Sequence, residues 1–145
     1  MAVAGLLGMA ACAVPEADGL RVSMGREDAG ADAYGMRQYV LAYLKTGSVR
    51  SENAAELQQA HMANIERMAE AGQLVLAGPF LDGGAVRGIY IFNTPSVDSA
   101  RAWTATDPAV QAGVFDMELH PWYGSAALLA VNELHHQLAD QSIAD

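Results

Sequence analysis

An α+β fold with one antiparallel sheet is predicted by three features of the chain. Strand-like and helix-like segments follow one another in the order βαββαβ, two segments carry apolar residues at helical spacing, and turn residues stand at the junctions. This is the ferredoxin-like plan, in which both helices lie on one face of the sheet. An added C-terminal helix is expected after it.

The first strand is MRQYVLAYL, residues 36–44, rich in aromatic and branched side chains. KTGSVRS connects it to a helix with Ser51 as the expected N-cap. Ala54, Leu57, His61, Ile65 and Met68 recur at three- and four-residue intervals and define the buried face. Gly72 ends the helix, because glycine tolerates the left-handed conformation of a C-terminal cap. QLVLAGPF and VRGIYIF then form an antiparallel pair joined across residues 81–85.

Gly78-Pro79-Phe80 interrupts the first of that pair. A strand proline lacks a ladder donor and is tolerated at an edge, an end or a bulge, so the chain leaves the sheet here. Pro95 and Ser96 start a second helix that offers Val97, Ala100, Trp103 and Ala105 for burial. DPAVQAG is a short turn-helix. VFDMELHPW alternates, with Phe115, Met117 and Leu119 on one face and Asp116, Glu118 and His120 on the other. SAALLAVNELHHQLAD reads as the extra amphipathic helix, through Leu128, Val131, Leu134 and Leu138.

Two helices cover one face of such a sheet. Residues 36–44 are apolar at nearly every position, which burial of one face does not require. The second face therefore needs a partner, and another copy of the same sheet supplies one as a two-fold homodimer.

The chain has 145 residues, 52% of them hydrophobic and 17% charged, which suits one folded domain. A formal net charge of −9 without a run of Lys or Arg argues against nucleic acid as a partner. The single cysteine, Cys12, excludes an intrachain disulfide. Residues 1–13 are apolar but too short for a membrane helix, which takes roughly 20 residues. They fit a signal peptide with Ala11-Cys12-Ala13 at the cleavage site, or a lipoprotein signal in which Cys12 is lipidated. Met9 stands where a lipoprotein box prefers Leu, no Lys or Arg precedes the run, and a start at Met36 is the alternative. Export, to a periplasmic or lipid-anchored location, is expected over a cytoplasmic one. Residues 14–35, rich in Gly, Ala and Asp, read as a flexible linker. The domain then occupies residues 36–124 and the C-terminal helix residues 125–145.

His61 is the first candidate for chemistry, since histidine ordinarily titrates near working pH and serves as a general base. Spacing alone favours a core histidine bonded to a backbone carbonyl or water. Asp107 can supply a carboxylate to orient it, and Asp-Pro equally signals a helix N-cap. Gly78, Pro79 and Phe80 are candidate pocket walls. Arg87 can meet an anionic substrate or remain a solvated strand residue. Glu118 and His120 share one strand face and can line the space between paired sheets. Two such ligands fall short of a metal site, and no metal is expected. His135 and His136 read as solvated. No GxGxxG, P-loop, HExxH or GxSxG is present.

HMANIERMAEAGQLVLAGPF, RGIYIF, DPAVQAG and ELHPWYG occur in an order that resembles the YciI-like (YCII-related) family, over residues 36 to about 124. The resemblance implies a dimeric α+β barrel of ferredoxin-like subunits. It also implies a pocket with a paired His and Asp, matched by His61 and Asp107. An exported subset with an HPW ending is the most similar. Most reactions in the family are unassigned; one relative removes chloride from a chlorinated hydroxyhydroquinone, and similar folds carry lactone isomerisation, monooxygenation and haem chemistry. The expectation is a cofactor-independent enzyme of isomerase, lyase or dehydrochlorinase type acting on an unknown small molecule. The alternative is a non-catalytic dimeric ligand-binding or accessory protein, held at a membrane only through Cys12.

Overall fold

The computed structural model describes residue 19 and residues 21–143. The expected signal segment, residues 1–13 with Cys12, lies outside the described residues. The elements are β1 (Met36–Thr46), α1 (Ala54–Glu70), β2 (Leu74–Pro79), β3 (Val86–Phe92), α2 (Val97–Thr104), α3 (Pro108–Gln111), β4 (Phe115–Ser125) and α4 (Val131–Leu138). A 3-10 turn, Ala126–Ala130, precedes α4. The four strands form one antiparallel sheet in the order β2-β3-β1-β4, the arrangement of the ferredoxin-like plan.

Local chemistry sets the boundaries. Gly72 ends α1 with a φ of +68°, a conformation that an L side chain rarely adopts. Ser96 caps α2 by accepting the Ser99 N–H at 3.2 Å. α1 starts later than Ser51 implied: Ser51 Oγ accepts the Asn53 N–H at 3.1 Å, and Asn53 occupies the cap position without a side-chain bond. β4 runs on through Pro121 because it is an edge strand, whose outer side has no ladder to break. Pro79 is tolerated likewise, as the last residue of the other edge strand.

The helix side of the sheet carries the main core, with Val40, Ala42, Leu74, Tyr90 and Phe92 packed beneath Ile65 and Met68 of α1 and Ala100 of α2. Full burial of a side chain such as Phe92 contributes about 1.5–3 kcal/mol.

The opposite face is not bare. Tyr39, Val75 and Ile91 are buried there against Trp122, Leu128 and Leu129, so the 3-10 turn covers half of the face that helices α1 and α2 leave open. The register places Leu41, Tyr43 and Lys45 opposite His120, Glu118 and Asp116 on the other half, with Ile89 beside Tyr43. Tyr43 is 38% exposed.

Two expected segments differ. The linker over residues 14–35 gives way to hydrogen-bonded turns from residue 25 onward. Arg37 Nη1 donates to the Ala29 carbonyl at 2.9 Å, and the Asp32 carboxylate accepts the N–H groups of Tyr34 and Met36 and the Tyr123 hydroxyl. These bonds fasten the segment to β1 and β4, and the Tyr123 bond, first, holds the Asp32 carboxyl below its ordinary range. The C-terminal helix is shorter than residues 125–145. It begins as a 3-10 turn and ends at Leu138, which is exposed rather than part of an apolar stripe.

Candidate active site

Helical spacing carries His61 to the sheet side of α1, in line with Ile65 and Met68, where it is 4% exposed. The turn between α2 and α3 brings Asp107 to meet it. His61 Nδ1 lies 2.6 Å from Asp107 Oδ2. A carboxylate only accepts, so Nδ1–H donates, and in the neutral imidazole Nε2 is the acceptor. Asp107 Oδ1 accepts the Ala109 N–H at 2.9 Å. One carboxylate thus caps α3 with one oxygen and fixes the imidazole with the other, which joins the two readings of the Asp-Pro dipeptide. Asp107 is fully buried. A buried carboxylate without donors costs several kcal/mol, so both bonds are needed to hold it there.

The Tyr90 hydroxyl lies 3.4 Å from His61 Nε2, and the Phe115 ring centroid is 5.0 Å from that of the imidazole. Burial, and secondarily the negative charge of Asp107, hold the Tyr90 phenol proton well above its ordinary range. The folded protein therefore keeps this proton where an unfolded tyrosine loses it, above about pH 10. Below that pH both states are protonated and the group adds no pH dependence. Above it, stability is expected to fall by about 1.4 kcal/mol per pH unit for this proton. Tyr90→Phe removes that contribution, and urea unfolding at a series of alkaline pH values should show the shallower slope.

A cavity of ≈ 230 Å³ opens beside this group. Leu44, Met62, Ile65, Tyr90 and Phe115 supply apolar walls, His61 and Gln58 are polar, and Ile143 comes from the C-terminal segment. Ala77, Gly78, Pro79, Arg87 and Gly88 form the wall where β2 and β3 end and begin. Gly88 is the glycine this wall requires: a Cβ there would stand 2.5 Å from the Gly78 carbonyl oxygen. At Gly78 a Cβ would meet nothing within 4 Å, and its φ is not positive, so its conformational freedom is not what shapes the wall.

His61, Gly78, Pro79 and Arg87 therefore line one cavity, and Asp107 stands behind His61 rather than in the wall. Phe80 does not join them. It is exposed past the strand end, where its N–H donates to the Arg87 carbonyl at 2.8 Å. Glu118 and His120 are also apart from the cavity, because alternation along β4 turns them to the far side from Phe115. There Glu118 bonds Lys45 and His120, each at 2.9 Å, and the Lys45 bond, first, holds its carboxyl below the ordinary range. Among the described residues no three His, Cys, Asp or Glu side chains come together as a metal site. A larger cavity of ≈ 370 Å³ lies between α1, β2 and α4, with His135 and His136 in its lining and neither His61 nor Asp107.

Spacing had overlooked Tyr90, Phe115, Met62, Gln58 and Gly88. A signal existed for two of them: Gly88 and Tyr90 share a strand face with Phe92, the face turned toward His61. Gln58 and Met62 flank His61 on a helix and required the tertiary fold to be placed.

The fold and the site together are those of an α+β, ferredoxin-like domain class with a buried His–Asp pair beside a cavity. Within that class, the chain belongs to the YCII-related domain family, which it matches over residues 36–123. No curated protein matches it. Among solved structures it is similar to 5-chloro-2-hydroxyhydroquinone dehydrochlorinase from Burkholderia phenoliruptrix in complex with 2,5-dihydroxybenzoquinone. The identity is 22%, the TM-score is 0.47, and the match covers 58% of this chain and 92% of that one.

Proposed function

We propose that the protein is a small-molecule enzyme in which His61 moves a proton and Asp107 holds the imidazole for it. The observation that carries this reading is the 2.6 Å Nδ1–Oδ2 contact at the wall of the 230 Å³ cavity. With Nδ1–H committed to Asp107, Nε2 takes a proton from a substrate carbon, and the C–H electron pair moves into the substrate. In an isomerisation the pair moves toward a carbonyl and the imidazolium returns the proton at another carbon. In an elimination the pair expels a leaving group such as chloride. Asp107 stabilises the imidazolium in either case. The cavity's size and apolar walls favour a single-ring substrate.

The test is a screen of cyclic ketones, lactones and halogenated phenols against purified protein, with products followed by mass spectrometry. Turnover that is lost in His61→Ala supports the reading; full activity in that variant overturns it. Ligands that raise the melting temperature without any product give a binding protein instead.

The working unit proposed is a homodimer that pairs the open half of the sheet, around Leu41, Tyr43 and Ile89. An exposed tyrosine among half-buried aliphatic residues is the surface that supports this. Sedimentation of the wild type should give twice the chain mass, and Tyr43→Asp, opposite Glu118, should give a monomer; a monomeric wild type overturns it.

A further inference from the structure

Building on the assignment of His61 and Asp107, we propose that Asn64, Arg67 and Thr106 are positioning residues that set the contact between that pair. α1 presents His61 and Asn64 three residues apart, both buried. The α2–α3 turn presents Thr106 and Asp107 as neighbours in sequence. The His61–Asp107 bond and the Asn64–Thr106 contact are thus two rungs between the same two stretches of backbone.

Arg67 ties the second rung. Its Nη2 donates to Asn64 Oδ1 and to Thr106 Oγ1, each at 2.9 Å, and its Nε donates to Asn64 Oδ1 at 3.3 Å. The Thr106 hydroxyl has one proton for two acceptors, Asn64 Oδ1 at 3.1 Å and the Trp103 carbonyl at 2.7 Å. Either choice fixes the turn, to α1 directly or through Arg67.

The residue types are costly unless they do this. Asparagine is a poor residue for a helix interior, and burying its amide is unfavourable without partners. Here its oxygen is spent entirely on Arg67 and on the segment that carries Asp107. Arg67, exposed and free to seek a carboxylate, instead binds two neutral oxygens that bridge helix to turn. The groups that face His61 itself are Asp107 from the turn, Tyr90 from β3 and Phe115 from β4. The Ala109 N–H sets the rotation of the Asp107 carboxylate. None of the groups facing His61 ties the turn to α1 apart from Asp107 itself, so the second rung is what helps hold the turn at that distance.

The His61 Nδ1 proton reports on this without any substrate. NMR of the full chain follows its resonance and its exchange with solvent. In Arg67→Met and Thr106→Val, both at exposed side chains, exchange should quicken about tenfold, the scale of one lost hydrogen bond. Thr106→Ser, which keeps the hydroxyl, should restore the wild-type rate. Asn64→Leu should act like Arg67→Met, and Asn64→Asp, which keeps an acceptor for Arg67, should lie near wild type. Unchanged exchange in folded Arg67→Met and Thr106→Val overturns the proposal, whether or not Asn64→Leu folds. The result is separable from the enzymatic reading, which stands or falls on turnover by His61→Ala.

Discussion

His61→Ala is expected to lower turnover by about 10²–10⁴-fold, the range a positioned general base contributes. It should also lower stability. Asp107 would keep the Ala109 N–H and lose its strongest donor while still fully buried. Removing one member of a buried pair costs about 3–5 kcal/mol, because the other is left uncompensated. The two effects can be separated with His61→Gln. A glutamine amide can donate to Asp107 but has no basic lone pair, so it should recover much of the stability in chemical denaturation and none of the turnover. Recovery of turnover by glutamine would remove proton transfer from the role of His61.

Asp107→Asn should lose activity on a similar scale by a different route. Asparagine caps helices about as well as aspartate, so α3 keeps its Ala109 bond and the fold should change little. An asparagine amide can donate to Nδ1, however, and a carboxylate cannot. The imidazole is then free to carry its proton on Nε2, where the substrate needs a lone pair, and the imidazolium loses its counter-charge. The expected result is a loss of about 10²–10⁴-fold in kcat with circular dichroism and melting near wild type. Wild-type kcat in a folded Asp107→Asn protein would show that the carboxylate serves α3 alone.

Much of the scaffold was legible because its elements have short-range causes. The 3.6-residue spacing through His61, Ile65 and Met68, the glycine at 72, the Ser96 cap and the alternation of Phe115 to His120 each depend on neighbours a few residues away. The α1 start was misplaced for a related reason: Ser51 and Asn53 are both good capping types, and only backbone geometry chooses between them. Leu138 and the linker failed differently. Their states depend on what the sheet offers for packing, and Asp32 found Tyr123 some ninety residues further along.

The candidate site divides the same way. His61 and Asp107 could each be singled out by type and position, yet each had a plain structural reading that spacing could not dismiss. Glu118 and His120 were read correctly as sharing a face, and the fold then turned that face away from the cavity. Strand alternation could put Gly88 on the face turned toward His61, but its constraint, the carbonyl of Gly78 on the neighbouring strand, leaves no local sign.

By itself, then, the order of residues determined the strands, the helices, their succession and hence the antiparallel plan, because periodicity, caps and turn chemistry act over one or two turns of chain. Only the tertiary structure decided that an imidazole and a carboxylate 46 positions apart stand 2.6 Å from each other beside a cavity. That distance is set by how α1 and the α2–α3 turn pack on a shared sheet, and packing between distant segments leaves no periodic mark in a sequence.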